Sequence, residues 1–441
     1  MRKEHYIIGE GALSSVVKEY KAVWGDSLPL IVADRNTWPI VGAHLHEQFI
    51  RFGYSGVEEF VFPDVDDVYA DYEHVGVIRE LIQGNGLIAV AVGSGTINDL
   101  VKLASYECGK SYMVVPTAPS VDGYTAIGAA ITVDGFKRTL HCLPPEVMVA
   151  DVNVLRDAPY DMIAAGYGDL AAKIPAGADW IIADRLGVER ILPEAWDMSQ
   201  RDLRMRLADP AAIARRDGAA IDGLFLGLVE VGFAMEVFKN SRPAAGAEHM
   251  MSHAWEMVHL SVLGFPVSHG FKVAIGTLAS TAIMTELLKL DEDDLRRAFK
   301  EHPPLTWPMR LMEIESFLGD DPTRAATIQA SQAKFLEPQQ LEQRRQLTLG
   351  FWKELKKDIA AQIIPFEQLQ DMFRIAGCPC EPVDIGLTRA MFMDGMRKAQ
   401  MIRERYTVLD FAYELGLLDT VMDIVAGGEL YYRDFSCLAQ S

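Results

Sequence analysis

The chain has 441 residues, more than one compact core usually holds, and 49% of them are apolar. These values predict a globular protein with two domains and exclude a disordered one. Lys and Arg number 42 against 62 Asp and Glu, which gives a net charge of −20. This charge excludes nucleic acid and anionic lipid as expected partners, and an anionic substrate therefore requires a local cationic site.

The sequence predicts a cytoplasmic protein without membrane insertion. Its first residues contain no long apolar region, and the longest apolar stretch, 224–238, carries Glu230 and Glu236 and is too short to cross a bilayer. The five cysteines include no CxxC pair. An odd number of unpaired cysteines is typical of a reducing compartment.

Up to about residue 150, short apolar runs alternate with amphipathic segments. Between the runs, residues 39–52 and 97–106 have helical patterns. The runs predicted to be strands are 28–33, 60–62, 87–92, 112–115 and 147–150. This alternation predicts a Rossmann-like α/β dinucleotide-binding domain over residues 1–151, with a mostly parallel sheet. Within it, residues 129–140, with Asp134 and Gly135 near the middle, predict an inserted β-hairpin.

Beyond Asp151 the strand-like runs disappear. Residues 211–240 and 339–363 instead place helix-forming residues at spacings of three and four. We therefore predict an all-α domain over residues 152–441 that holds metal and substrate, with the site in a cleft between the two domains.

The apolar run 87–92 continues into a glycine-containing turn and a helix. The candidate cofactor-binding residues of this turn are Gly93, Gly95, Thr96, Ile97, Asn98 and Asp99. Glycines at such a junction let the backbone approach a pyrophosphate, and the free N–H groups of the helix start bind it. Because the spacing is not GxGxxG, a tight turn whose amides are satisfied by Asn98 and Asp99 explains the pattern equally well.

Two more strand ends carry candidate ligand-binding residues. Asp34 follows the run 28–33, where its carboxylate could accept both ribose hydroxyls of NAD or cap a helix, and Arg35 beside it leaves NADP open. Thr117, Ser120 and Asp122 lie after the run 112–115, where parallel strands place ligand-binding loops. An ordinary loop containing Pro and Gly is the alternative.

Metal-binding side chains occur in three motifs. His249 and His253 lie four residues apart on one face of a Met-rich helix, and His269 stands at another predicted helix start. Asp169 precedes an apolar helix, where it is either an N-terminal cap or a ligand. One Asp and two His suit a site with open positions for substrate, and the remaining His can face that substrate; buried structural histidines are the alternative.

Taken in order, these motifs resemble those of the bacterial AraM-type glycerol-1-phosphate dehydrogenases. This family belongs to the superfamily of glycerol dehydrogenase, iron-containing alcohol dehydrogenase and dehydroquinate synthase. The resemblance covers nearly the whole chain. The matching segments are 93–99, 117–123, 166–170, 248–253, 269–270 and 403–410.

The resemblance implies a dehydroquinate synthase-like fold, a homodimer and a role in phospholipid metabolism. Asp169, His249 and His269 match the family's metal ligands, for nickel or zinc, while His253 and Asp122 match its substrate contacts. Residues 95–99, Thr117 and Ser120 match its contacts to NAD or NADP. The implied substrates are glycerol-1-phosphate and dihydroxyacetone phosphate, and the candidates to bind their phosphate are Lys137, Arg138 and Lys272.

Three other functions remain open from the sequence. The first is a dehydroquinate synthase-like lyase or cyclase, although those enzymes have a glutamate where Asp169 stands here. The second is a related dehydrogenase for an unphosphorylated polyol. The third is a dinucleotide-binding sensor without catalysis, against which the intact Asp169, His249 and His269 set argues.

Overall fold

The structure is a computed structural model that describes residues 4–63, 68–133 and 136–427, without the side chains of residues 136 and 137. The chain folds into two compact units. The first unit comprises Met1–Leu170 with Arg204–Asn240, and the second comprises Ala171–Leu203 with Ser241–Ser441.

Ten strands are present in the described residues. They are β1 (Tyr6–Gly9), β2 (Pro29–Asp34), β3 (Glu58–Phe62), β4 (Ile88–Gly93), β5 (Met113–Pro116), β6 (Ala129–Val133), β7 (Phe136–Leu140), β8 (Val147–Asp151), β9 (Ser261–Val262) and β10 (Phe265–Pro266).

Among the described residues, four helices of the first unit lie between strands of the sheet, and five follow β8. They are α1 (Val16–Trp24), α2 (Ala43–Arg51), α3 (Tyr72–Asn85), α4 (Gly95–Glu107), α5 (Val152–Asp157), α6 (Tyr160–Ala171), α9 (Leu203–Leu207), α10 (Pro210–Ala214) and α11 (Gly218–Phe238). Three short helical turns, Ala12–Ser15, Trp38–Gly42 and Asp122–Tyr124, accompany them.

The second unit is built almost entirely from helices. They are α7 (Lys173–Arg185), α8 (Pro193–Gln200), α12 (Ala247–Met257), α13 (His269–Lys289), α14 (Glu292–Glu301), α15 (Trp307–Leu318), α16 (Arg324–Ala333), α17 (Pro338–Gln362), α18 (Phe366–Ala376), α19 (Arg389–Met401), α20 (Val408–Glu414) and α21 (Leu418–Val425), with a short turn at Pro382–Ile385.

Strands β1–β5 and β8 form one parallel sheet in the order β1-β8-β5-β4-β2-β3. The inner strands consist mostly of apolar residues, and β4 (Ile88–Gly93) is buried along its whole length, as expected for a parallel sheet with helices on both faces. The five predicted strands are confirmed within about one or two residues at their ends. The prediction omitted the edge strand β1, a run of only four residues.

The inserted hairpin is also confirmed, because β6 and β7 pair antiparallel with Val133 opposite Phe136. Its predicted turn residues, Asp134 and Gly135, lie outside the described part of the chain. The prediction that strands vanish after Asp151 missed a second, very short hairpin, β9–β10. This hairpin joins α12 to α13, the two helices that carry the histidine motifs.

The predicted domain boundary at residue 151 differs from the boundary between the two compact units. Helix α11 packs against α5 and against the turn Asp122–Tyr124, so residues well beyond Asp151 belong to the unit that holds the sheet. The sequence pattern could not predict this division. The hydrophobic periodicity of a helix shows that one of its faces is buried, but it does not show which other element packs against that face.

Helix α13 is the one helix of the described residues that is long and apolar enough to span a bilayer by length and composition. However, 83% of its most apolar window is buried inside the protein, as expected of a core helix. His269 is the first residue of this helix, directly after its N-cap residue Ser268.

Helix α6 passes very close to the loop that follows β5. A Cβ atom added at Gly166 would lie 1.7 Å from the carbonyl oxygen of Pro119, whereas one added at Gly84 on α3 would meet nothing within 4 Å. The glycine at position 166 is therefore required for this close approach, and position 84 offers a matched control.

We predict that Gly166→Ala destabilises the protein by at least about 2 kcal/mol, because the loop backbone has to move away from α6. Gly84→Ala should leave stability unchanged or raise it by up to about 1 kcal/mol, since alanine is the better helix former. The midpoints of thermal unfolding of both variants test this. Equal midpoints would show that the loop adjusts without cost.

Candidate active site

Helix α4 begins directly after β4, in the turn predicted to bind pyrophosphate. Ser94, its N-cap residue, makes no side-chain hydrogen bond to the first turn. A Cβ atom on Gly95 would lie 2.8 Å from a methyl group of Val121, so the loop after β5 also comes close here. The N–H groups at the start of α4 are therefore not capped by the residue in front of them, which suits an anion.

The side chains of Asn98 and Asp99 do not cap this turn. The Asn98 Oδ1 atom accepts a hydrogen bond of 2.9 Å from the Tyr112 hydroxyl, and Asp99 Oδ2 accepts one of 3.0 Å from the backbone N–H of Ala130. The alternative in which these side chains satisfy the first-turn amides is therefore wrong. Their contact with a cofactor remains a prediction.

Lys102, on the same helix, holds the loop after β5 in place. Its fully buried Nζ donates to the carbonyl oxygens of Gly123, Ala126 and Gly128 at 2.7, 3.2 and 3.1 Å. Asp99 Oδ1 lies 3.3 Å from the same nitrogen. One ammonium group thus fixes three backbone carbonyls within a short stretch of chain.

The loop after β5 brings together several predicted residues. Thr117 and Ser120 are buried, and the Thr117 backbone N–H donates to the carbonyl of Gly93 at 3.1 Å. The backbone N–H of Asp122 donates to Asp169 Oδ2 at 2.9 Å. The predicted loop residues and Asp169 therefore share one region of the first unit.

Asp169 does not stand at a helix start, so the prediction that places it there is wrong. It lies in the last turn of α6, and the next helix begins only at Lys173. Its side chain is completely buried. Because a buried carboxylate requires a compensating partner, this location favours a ligand role over capping.

The side chain of Asp34 forms hydrogen bonds within the turn that directly follows it. Its Oδ1 accepts hydrogen bonds from the backbone N–H groups of Asn36 and Thr37, at 2.9 and 2.7 Å, and from the Thr37 hydroxyl at 3.0 Å. This is the local capping role that the sequence left open. The ribose-binding role of Asp34 stays a prediction, and the second carboxylate oxygen, Oδ2, would have to bind the ribose.

Three histidines lie close together in the second unit. His249 and His253 lie on α12 and His269 begins α13, as the motifs predicted. The His269 ring centre lies 5.4 Å from that of His249 and 6.2 Å from that of His253. Helical spacing and the short β9–β10 connection thus bring the three imidazoles to one place.

A carboxylate lies behind each imidazole. Glu256 Oε1 lies 3.0 Å from His269 Nδ1 and its Oε2 lies 3.1 Å from His253 Nδ1, while Glu248 Oε1 lies 2.9 Å from His249 Nδ1. A carboxylate on Nδ1 favours the tautomer with the proton there, and this leaves Nε2 as the electron-pair donor. This arrangement suits metal ligation by the opposite nitrogen.

The protonation of His253 depends on its burial. Burial lowers its pKa to about 4, while the hydrogen bond with Glu256 acts in the opposite direction. A neutral imidazole at physiological pH is able to accept a proton.

The start of α12 is held by a buried polar network. Asp179 accepts hydrogen bonds from the backbone N–H groups of Ala247 and Val408, each at 2.7 Å. Burial and the neighbouring Glu248 raise the pKa of Asp179 to about 8. The fully buried Arg242 donates to the carbonyl oxygen of Asp179 at 2.7 Å. These contacts fix the backbone from which His249 projects.

The three candidates for the substrate phosphate have different surroundings. Lys272 is buried, and its Nζ donates to the Val267 carbonyl at 2.9 Å and lies 3.4 Å from Glu256 Oε1. It is therefore already engaged within the histidine cluster. Arg138 is exposed on β7, and the side chain of Lys137 lies outside the described part of the chain.

Sequence reasoning missed Glu248, Glu256 and Lys102. Glu256 lies three residues after His253 on the same helix, so the helical period alone could have linked the two. Glu248 was part of a matching motif and directly precedes His249. Lys102 carried no signal, because a lysine in a predicted helix is normally exposed.

Comparison with known proteins gives the same family from two directions. The family profile described as iron-containing alcohol dehydrogenase matches residues 7–159. The glycerol-1-phosphate dehydrogenase [NAD(P)+] of Halalkalibacterium halodurans is 30% identical over 382 residues, which cover 86% of this chain and 84% of that relative.

Solved structures agree in fold. A probable glycerol dehydrogenase from Sinorhizobium meliloti superposes with a TM-score of 0.59 at 16% identity, covering 95% of this chain and 96% of its own. The sulfoacetaldehyde reductase from Bifidobacterium kashiwanohense, solved in complex with NAD+, gives 0.59 at 14% identity, with 97% and 98% covered. At such identities the likeness establishes the fold alone, whereas the sequence relative extends over most of both chains. The chain therefore belongs to the glycerol-1-phosphate dehydrogenase family.

Proposed function

We propose that this protein is a metal-dependent dehydrogenase that moves a hydride reversibly between NAD(P)(H) and the pair glycerol-1-phosphate and dihydroxyacetone phosphate. The relative that shows the family is named glycerol-1-phosphate dehydrogenase [NAD(P)+]. The observation that carries the proposal is the candidate ligand set: Asp169, His249 and His269 offer ligand atoms that lie within 4.8 Å of one another.

We assign a divalent ion, nickel or zinc, to these three side chains. One carboxylate and two imidazoles are ligands that such ions accept, and three protein ligands leave positions for substrate oxygens. The donor set fits, because Glu248 and Glu256 occupy the Nδ1 atoms of His249 and His269 and direct the other ring nitrogen outward. Bound there, the ion supplies Lewis-acid chemistry that lowers the pKa of the substrate hydroxyl.

The cofactor is assigned to the first unit. The turn from Gly93 to Ile97, which includes the uncapped start of α4, would bind the pyrophosphate. Thr117 and Ser120 on the loop after β5 would contact the rest of the dinucleotide. The dinucleotide supplies the acceptor for the hydride. Lys102 keeps the loop in position through its three carbonyl contacts.

His253 is assigned the proton transfer. Its Nδ1 is engaged by Glu256, so Nε2 is the nitrogen that takes the hydroxyl proton during oxidation and returns it during reduction. Its low pKa keeps the imidazole neutral and ready to accept. Asp122, whose backbone N–H binds Asp169, is assigned to the substrate hydroxyls through its side chain.

A cytoplasmic location and a homo-oligomeric state complete the proposal. The first follows from composition and cysteine usage, and the second from the resemblance to the family.

The metal assignment predicts different results for two histidines on one helix. His249→Ala should lose both the bound ion and activity, whereas His253→Ala should keep the ion and lose turnover by about 10²–10⁴-fold. Metal content of the purified proteins and steady-state turnover provide the measurement. His44→Ala, at an exposed position of α2, is the control that should keep both. A His249→Ala protein that retains its ion and its rate would place the metal elsewhere.

The cofactor assignment predicts a preference for NAD. The Asp34 carboxylate would repel a 2′-phosphate, and a like-charge contact of this kind costs at least about 1 kcal/mol, or about fivefold. Asp34→Asn should reduce the ratio of kcat/KM for NAD over NADP by about this factor, without loss of stability, since its amide oxygen still accepts the turn's hydrogen bonds. Equal efficiency of the unaltered protein with both cofactors contradicts the assignment.

The substrate assignment predicts that glycerol-1-phosphate is oxidised more efficiently than glycerol. A turnover screen over polyols and their phosphates, with net NADH formation as the signal, tests it. Glycerol turned over as efficiently as its phosphate would favour the unphosphorylated polyol dehydrogenase. Absence of net NADH with every polyol phosphate would favour a lyase or cyclase.

A further inference from the structure

The short hairpin that joins the two histidine-bearing helices carries an exposed apolar surface. Neither of its strands, β9 and β10, contains a buried residue. Leu263 at its tip is 93% exposed and Phe265 is 68% exposed, and Val258 and Val262 beside them are exposed as well. Single exposed apolar side chains are common, but these four lie close together in the chain and form a patch of the kind that a partner covers.

The turn of the hairpin places Leu263 in an unfavourable conformation. Leu263 has a φ of 52° and Gly264 has a φ of 84°. In a two-residue hairpin turn with positive φ at both positions, asparagine or glycine is usual at the first, because a bulky side chain crowds the backbone there. Neither the backbone nor the solvent therefore favours a leucine at position 263, whereas an apolar partner would.

The last described residues of the chain lie close to this patch. Arg389, at the start of α19, donates from Nε to the Ala426 carbonyl at 3.1 Å. Three residues earlier, the backbone of Gly386 contacts the hairpin, since a Cβ atom added there would lie 3.1 Å from a methyl group of Val262. Three residues of chain span at most about 11 Å. One short segment thus contacts both the hairpin and the residue from which the chain continues.

Residues 428–441 follow and lie outside the described part of the chain. Their sequence places four large side chains with apolar surface close together, namely Leu430, Tyr431, Tyr432 and Phe435. Aromatic side chains provide much apolar area for few residues. Eight extended residues span up to about 28 Å, which is enough for position 435 to reach the hairpin.

We propose that residues 428–435 dock on the hairpin patch through their apolar side chains and cover Leu263 and Phe265. A second copy of the chain fits the patch less well, because a stable interface between proteins takes about 20–30 residues on each side. A segment attached nearby needs a much smaller contact area, since its attachment gives it a high effective concentration. The docking is independent of the proposed reaction.

Cleavage by trypsin after Arg433 measures this docking in the full-length protein. Release of the peptide 434–441 should be about tenfold faster in Leu263→Asp than in the unaltered protein, because the loss of one buried leucine shifts the docking equilibrium by about this factor. Met312→Asp is the matched control and should leave the rate unchanged. Residue 312 is also exposed, on α15, which packs against Met401 at the opposite end of α19.

The thermal midpoints of both variants are measured in parallel, so that a general loss of structure is recognised. Equal rates of peptide release in the three folded proteins overturn the inference.

Oxidative cross-linking identifies the occupant of the patch. Leu263→Cys should form a disulfide with Cys437 within one chain, since Cys437 lies two residues beyond Phe435. Met312→Cys should form this link to a much smaller extent, and peptide mapping identifies the paired cysteines. A link between two chains, seen as a dimer mass without reductant, assigns the patch to a second copy and overturns the inference. Equal yields at positions 263 and 312, or no link at 263, overturn it as well, because an undocked segment has no preference for the hairpin.

Discussion

The histidine cluster depends on carboxylates that lie behind the imidazoles. Glu256 contacts both His253 and His269 and also the Lys272 ammonium, so one side chain fixes groups from two helices. Without such a partner, an imidazole rotates freely about its side-chain bonds and exchanges between tautomers. A carboxylate at Nδ1 removes both freedoms at once, and the opposite nitrogen then points to a defined position.

Buried carboxylates also fix the start of α12 in the second unit. Glu248 orients His249 and its Oε1 also accepts the backbone N–H of Gly246, while Asp179 holds the next N–H of the helix start. Burial raises the pKa of Asp179, and repulsion by the neighbouring Glu248 carboxylate raises it further.

In the first unit, a single cation, Lys102, holds the loop after β5 in place. The loop after β5 supplies the candidate cofactor contacts and the N–H that binds Asp169, but a loop has no ladder of hydrogen bonds to hold its shape. Lys102 donates to three of its carbonyls from a fully buried position. Burial of an ammonium is costly unless it is fully bonded, so the loop and the lysine stabilise one another.

The sequence alone determined the parallel sheet, the helical second part and the positions of Asp34, His249, His253 and His269 in their elements. These follow from local periodicity and from strand and helix ends, which one segment of chain expresses by itself. The family resemblance also required only the order of the motifs.

Only the tertiary structure decided which groups surround those residues. Asp169 lies in the last turn of α6 and not at the predicted helix start. The Asp34 carboxylate accepts a hydrogen bond from the backbone N–H of Thr37 in the turn that follows it. The tertiary structure also identified Glu256 as the partner of His253 and His269, and Lys102 as the partner of the loop after β5. The physical reason is that charged side chains are normally exposed to solvent, so the sequence predicts exposure for them. Their actual burial and hydrogen-bond partners depend on segments that are distant in the chain.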